Sequence, residues 1–158
     1  MAVSVLLIDD DEEFLAILAE RLTIRGLEVT TAASGRAALD LFGTAWFKVV
    51  VLDLQMPDMD GLEVLERLVA LNPAQQIIVL TGHATVTRGV RAMKLGAADL
   101  LEKPVDIREL VEKINTAAAG APTVPAGNRA GRSPYPPQEE TPRPGLLRTL
   151  RGLFAGGE

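Results

Sequence analysis

Within the first 118 residues, short apolar runs alternate five times with stretches of helical periodicity, and that alternation limits the fold more than any other feature of the chain. Val3–Ile8, Leu27–Thr31, Lys48–Asp53, Gln76–Thr81 and Ala98–Leu101 read as strands. Val3–Ile8, Val49–Leu52 and Ile77–Leu80 are almost continuously apolar, the pattern of strands covered on both faces. The first helix carries Phe14, Leu15, Leu18 and Leu22 on one face, and further helices are predicted over Gly35–Phe42, Gly61–Leu71, Ala84–Leu95 and Ile107–Ala118. Asp60 with Glu63, and Asp106 with Glu109, have the spacing of an N-cap followed by an acidic third residue. Five βα units predict an α/β fold, a doubly wound five-stranded parallel sheet with helices on both faces. In such sheets ligands collect outside the carboxyl ends of the strands.

Those ends are rich in oxygen donors. The first strand runs into Asp9, Asp10 and Asp11, the third ends in Asp53, the fourth in Thr81, and the fifth is followed by Lys103 and Pro104. Asp9 to Asp11 also suit the start of a helix, where acids are favoured by the macrodipole at ~0.3–1 kcal/mol each. A carboxylate closing the run Val49–Leu52 has no such structural explanation. If the strands are parallel, these carboxylates converge and repel one another by about 1 kcal/mol per pair in water and about 4 at intermediate dielectric. A hard divalent cation relieves that, and Mg²⁺ suits a few carboxylates, water and an incoming phosphate. Lys103 adds a point charge and Thr81 a hydroxyl for the same oxygens. An ionised Asp53 in that setting is a nucleophile suited to forming an aspartyl phosphate.

Other chemistries are excluded by composition. The chain has no cysteine, hence no disulfide, thiolate nucleophile or zinc-thiolate site, and its one histidine rules out a His-rich metal centre. Sixteen basic residues against 21 acidic ones give a formal charge of −5, which argues against general nucleic-acid binding. The start of the chain lacks a basic n-region, so it is not read as a signal peptide, and no apolar run reaches the ~18–20 residues that cross a bilayer. A soluble cytoplasmic protein is expected.

Composition changes near Gly120. Residues 1–119 form the expected domain; residues 120–145 hold seven of the ten prolines and read as a flexible Pro/Gly-rich linker. From Ala119 onward five arginines face three glutamates, leaving the first 118 residues at −7. Residues 146–154 form a short amphipathic segment in which Leu146, Leu150, Leu153 and Phe154 share a helical face. It is too short to be a stable isolated helix, but suited to folding against a partner groove or an anionic membrane.

In order along the chain, Leu6-Leu7-Ile8-Asp9-Asp10-Asp11, Leu52-Asp53-Leu54-Gln55-Met56-Pro57-Asp58-Met59-Asp60-Gly61, Leu80-Thr81-Gly82-His83 and Glu102-Lys103-Pro104 resemble the receiver domains of two-component response regulators. The resemblance implies a flavodoxin-like strand order of 2-1-3-4-5 and a role in phosphorelay signalling. It makes Asp53 the phosphoacceptor for a phosphoryl group from a sensor histidine kinase or phosphotransfer protein. Asp10, Asp53 and the backbone carbonyl of Gln55 would bind Mg²⁺, with Asp9 acting through metal-bound water. Lys103 would bridge Asp53 and a phosphoryl oxygen, and Thr81 would follow the phosphoryl group inward. The output surface would be the face of helix 4, strand 5 and helix 5. The family often has an aromatic residue three positions before the lysine; here it is Leu100, so Leu100 marks a departure at the switch position. Gln55 and His83 lie two residues beyond Asp53 and Thr81, where they would modulate phosphate lifetime.

The reading is therefore a stand-alone response regulator that signals through protein contacts and carries no DNA-binding domain, with a phosphorylation-dependent homodimer left open. It is a phosphoacceptor that promotes its own phosphorylation and dephosphorylation rather than an enzyme acting on a separate substrate. The alternative is an intermediate receiver in a multistep phosphorelay. A haloacid-dehalogenase-type hydrolase would want a second aspartate where this chain has Gln55, and a receiver-like module that is never phosphorylated would lack one of the acids or the lysine.

Overall fold

Each apolar run becomes a strand and each strand is followed by a helix. In order these are β1 (Ser4–Ile8), α1 (Glu12–Ile24), β2 (Glu28–Ala32), α2 (Gly35–Thr44), β3 (Val49–Asp53), α3 (Gly61–Leu71), β4 (Gln76–Thr81), α4 (Val86–Leu95), β5 (Asp99–Glu102) and α5 (Ile107–Gly120). The structure, a computed structural model, describes residues 2–82 and 86–120. The five strands are parallel, in the order β2-β1-β3-β4-β5. The linker and amphipathic segment assigned to the tail lie outside the described residues.

Strand alternation splits the interior into two layers. Leu6, Ile8, Val50, Leu52, Ile77 and Val79 face α2, α3 and α4. Val5, Leu7, Val49, Val51, Ile78 and Leu80 face α1 and α5. All five residues of β3 are buried, as its continuous apolar run requires. The edge strand β2 exposes Glu28, Thr30 and Thr31. Its limits, and those of β5, fall one residue later than the sequence pattern suggests, because pairing with β1 and β4 sets the register. Among the described residues no helix is long and apolar enough to cross a membrane.

Side-chain caps start four of the helices. Asp11 accepts from Phe14 N–H at 3.0 Å, Ser34 from Ala37 N–H at 3.0 Å and Asp60 from Leu62 N–H at 2.9 Å. Asp106 accepts from both Arg108 N–H and Glu109 N–H, at 2.9 and 3.2 Å. On α1, Leu15, Leu18 and Leu22 are buried as expected, but Phe14 is only half-buried. Its ring lies at the rim, with Lys103 Nζ 4.4 Å from the ring centre.

Gly61 shapes the turn between β3 and α3. A Cβ there would lie 2.4 Å from the Leu54 Cα, and Gly61 N–H donates to the Leu54 carbonyl at 3.3 Å. Close backbone approach, not a left-handed φ, makes this position a glycine. Gly61→Ala is expected to cost about 2–3 kcal/mol in urea denaturation through overpacking. Gly43→Ala is the control: a Cβ there meets nothing within 4 Å, so stability should hold or rise slightly.

Candidate functional site at the carboxyl ends of the strands

Asp53 closes β3 and Asp9 follows β1, so parallel pairing of these neighbours sets the two carboxylates side by side. Asp10 joins them at the surface: oxygens of Asp9, Asp10 and Asp53 all lie within 4.8 Å of one another. Asp9 and Asp53 are buried at 2% and 4% exposure, while Asp10 is open to solvent. Local backbone holds the buried pair in place. Asp9 Oδ1 accepts from Asp11 N–H at 3.0 Å, and Asp53 Oδ1 accepts from Gln55 N–H at 3.2 Å.

Lys103 enters from the far edge. Its Nζ lies 2.9 Å from Asp9 Oδ2 and 3.6 Å from Asp53 Oδ2, and the Phe14 ring supports it from the outer side. Its backbone N–H donates to the Thr81 carbonyl at 2.7 Å, and the peptide to Pro104 is cis. Thr81, 2% exposed, ends β4 opposite Glu102. The structure thus gathers Asp9, Asp10, Asp53, Thr81 and Lys103 at one end of the sheet. Gln55 is exposed, with its side-chain oxygen 3.7 Å from where a Cβ on Gly82 would stand. His83 lies outside the described residues. Leu100 is half-buried and packs toward α4.

Crowding shows in the titration of the site. Burial pushes the Asp53 carboxyl up from 3.8 to about 6, and the Asp9 charge adds to this; Lys103 and the Gln55 N–H act in the opposite direction. For Lys103, burial alone would lower the pKa, but the hydrogen bond to Asp9 and the Asp53 charge outweigh it and hold the ammonium above its ordinary value. One ammonium facing three carboxylates leaves an excess of negative charge. Repulsion at these separations is on the order of 3–4 kcal/mol per ionised pair at intermediate dielectric. An all-oxygen donor set with one solvent-facing member fits a hard divalent cation that keeps part of its water shell.

Comparison with known proteins agrees with this geometry. The family model for the response regulator receiver domain matches residues 5–115. The chain belongs to the response regulator receiver family. Receiver domains are the phosphoacceptor modules of two-component signalling. The chain is 36% identical over 124 residues to the transcriptional regulatory protein ZraR of Escherichia coli K12, covering 78% of this chain and 28% of ZraR. It is 38% identical over 125 residues to the photosynthetic apparatus regulatory protein RegA of Cereibacter sphaeroides, covering 77% of this chain and 66% of RegA. The chain therefore spans a little over a quarter of ZraR and about two thirds of RegA. Among solved structures, a CheY-like receiver domain protein from Methanospirillum hungatei superposes with a TM-score of 0.71 at 32% identity, over 75% of this chain and 95% of that one. A receiver domain protein from Clostridium thermocellum gives 0.71 at 34% identity, over 74% and 94%.

Two contacts of this receiver were not anticipated from its sequence. Phe14 has the periodicity of a core residue, yet it forms a platform for a lysine 89 positions away. Arg88, on α4, donates to the Leu54 carbonyl at 3.2 Å and to Asp60. Neither long-range pairing leaves a local signal in the chain.

Proposed function

We propose that this receiver accepts a phosphoryl group on Asp53 from a phosphohistidine of a sensor kinase or phosphotransfer protein, and signals through protein contacts in the cytoplasm. The observation that carries this reading is the buried Asp53 carboxylate within reach of both Lys103 Nζ and the exposed Asp10. An Asp53 oxygen attacks phosphorus, the phosphorus–nitrogen bond breaks, and the imidazole leaves with the bonding pair. Water later attacks the acyl phosphate, breaks the new phosphorus–oxygen bond and restores the carboxylate with release of phosphate.

Each side chain has a role in that sequence. Asp10, Asp53 and the Gln55 carbonyl would hold Mg²⁺, with Asp9 acting through water. When bound, Mg²⁺ neutralises the carboxylates and draws charge from the phosphoryl oxygens. Lys103 moves from carboxylate to phosphoryl oxygen, offering the transferring group a fixed positive charge. Thr81 donates its hydroxyl to the phosphoryl group, and Gln55 with His83 governs access of the hydrolytic water. The output surface is the α4–β5–α5 face, where Val90 and Met93 are 49% and 41% exposed.

The test is incubation of the full chain with acetyl phosphate and Mg²⁺, read by intact mass. Wild type should gain one phosphoryl group, and no gain would end the proposal. The protein donor has its own candidate surface. An apolar trough of about 580 Å³ lies between α1 and the β5–α5 turn, lined by Phe14, Ile17, Val105 and Ile107 together with Lys103. Ile17 stands 47% exposed in it. Ile17→Glu is expected to slow transfer from a phosphorylated histidine kinase at least tenfold, while uptake from acetyl phosphate stays within twofold of wild type.

A further inference from the structure

The Leu54 carbonyl, one peptide beyond Asp53, receives two donors: Gly61 N–H at 3.3 Å and Arg88 Nη2 at 3.2 Å. The same Nη2 donates to Asp60 Oδ1, the oxygen that caps α3 through Leu62 N–H. Arg88 Nε is buried and has no hydrogen-bond partner, so the terminal nitrogen makes these contacts. A single guanidinium nitrogen from α4 thus joins the peptide after Asp53 to the cap of the next helix.

The adjoining residue forms a second attachment. A Cβ on Gly89 would lie 3.0 Å from both Leu100 methyl carbons and 3.4 Å from Thr81 Cγ2. Leu100 and Thr81 therefore fill the space beneath the first turn of α4. Leu100 has neither a ring to rotate nor a hydroxyl to expose, so it makes that seat by shape alone.

The geometry points to Arg88 as a positioning residue that acts on Asp53 through the Leu54 peptide and latches α4 to the turn carrying the phosphoacceptor. The inference rests on Asp53 being that acceptor. Side-chain exposures of 37% for Arg88 and 49% for Asp60 make the ion pair a weak, exchangeable bond, as a latch requires and a structural staple does not. When the Thr81 hydroxyl turns toward a phosphoryl group on Asp53, the packing under Gly89 loosens and Arg88 leaves Leu54 and Asp60. By linkage, a partner that prefers α4 in its released position also favours the phosphorylated state.

Amide hydrogen exchange of the full chain, read by mass spectrometry over residues 54–62 and 87–95, tests this. The proteins are wild type, Arg88→Ala, Arg88→Lys and Asp60→Asn, each before and after acetyl phosphate with Mg²⁺. In the resting state Arg88→Ala is expected to exchange about fivefold faster in both segments. Arg88→Lys, which keeps the charge but has a shorter reach, should restore part of the protection. Phosphorylation should speed exchange of residues 87–95 in wild type and add less than half that response in Arg88→Ala. An unchanged 54–62 segment in resting Arg88→Ala, or a full phosphorylation response in that variant, overturns the latch. If wild type takes up no phosphoryl group, the phosphoacceptor reading falls, and the resting-state comparison still decides whether Arg88 ties the two segments together.

Discussion

Asp53→Asn is expected to take up no phosphoryl group from acetyl phosphate and, without metal at pH 7.5, to be more stable than wild type. The first effect follows from chemistry, because an amide oxygen is too poor a nucleophile to displace acetate from phosphorus. The second follows from the environment of the carboxylate. Asp53 lies 4% exposed beside Asp9, which is also buried, and its pKa is raised from 3.8 to about 6. That difference corresponds to about 3 kcal/mol spent on keeping Asp53 ionised in the metal-free fold, already net of the favourable charge of Lys103. Asparagine has nearly the same shape and no charge to desolvate. A gain of about 1–3 kcal/mol, or roughly 4–10 °C in melting temperature, should appear in calorimetry with a chelator present.

The pH dependence has a definite sign. A carboxyl whose folded-state pKa is raised binds its proton more tightly folded than unfolded. Between about pH 6 and 4 the native state therefore carries the extra proton, and falling pH stabilises wild type relative to Asp53→Asn. The advantage of the variant should be full above about pH 6, shrink through that window and vanish near pH 4. Saturating Mg²⁺ should narrow or reverse the order at neutral pH, because the wild-type cluster keeps a ligand that the variant has lost. An Asp53→Asn protein no more stable than wild type at any pH would show that burial of this carboxylate carries no strain.

Legibility in the sequence follows the range of the interactions. The strands are visible because two-sided burial leaves Val49-Val50-Val51-Leu52 with no polar residue. The site is visible because its members sit at strand ends, and parallel pairing turns sequence position into spatial position without side-chain detail. Asp9, Asp53, Thr81 and Lys103 meet for that reason. Phe14 and Arg88 are different: each is placed by a tertiary contact whose partner is remote in the chain. Phe14 obeys the helical periodicity and packs at the edge of the layer that holds Leu15, Leu18 and Leu22, but periodicity carries no sign of the lysine over its ring. The one-residue offsets of β2 and β5 have the same origin, since a strand's limits depend on its neighbour's register and not on its own pattern.

Lys103→Met should have two effects of opposite sign, and that pairing tests how the site works. Methionine keeps an unbranched apolar stem of similar length and removes the ammonium that lies over Phe14. The transferring phosphoryl group then loses a preplaced positive charge, and uptake from acetyl phosphate should slow by about 10²–10³-fold. Metal affinity should move the other way. Lys103 Nζ occupies Asp9 at 2.9 Å and approaches Asp53 at 3.6 Å, so it competes with a cation for the same oxygens. Without it, the excess negative charge grows, and Mg²⁺ should bind about tenfold tighter in calorimetric titration. The metal-free variant should also lose about 2–4 kcal/mol at pH 7.5, because Asp9 and Asp53 then face each other without a counter-charge, and Mg²⁺ should return most of it. Asp53→Asn should stabilise Lys103→Met by more than it stabilises wild type, a non-additivity expected only if the two side chains share one electrostatic balance. Slower uptake with unchanged Mg²⁺ affinity would mean that Lys103 serves the phosphoryl group alone and leaves the acids to manage their own repulsion.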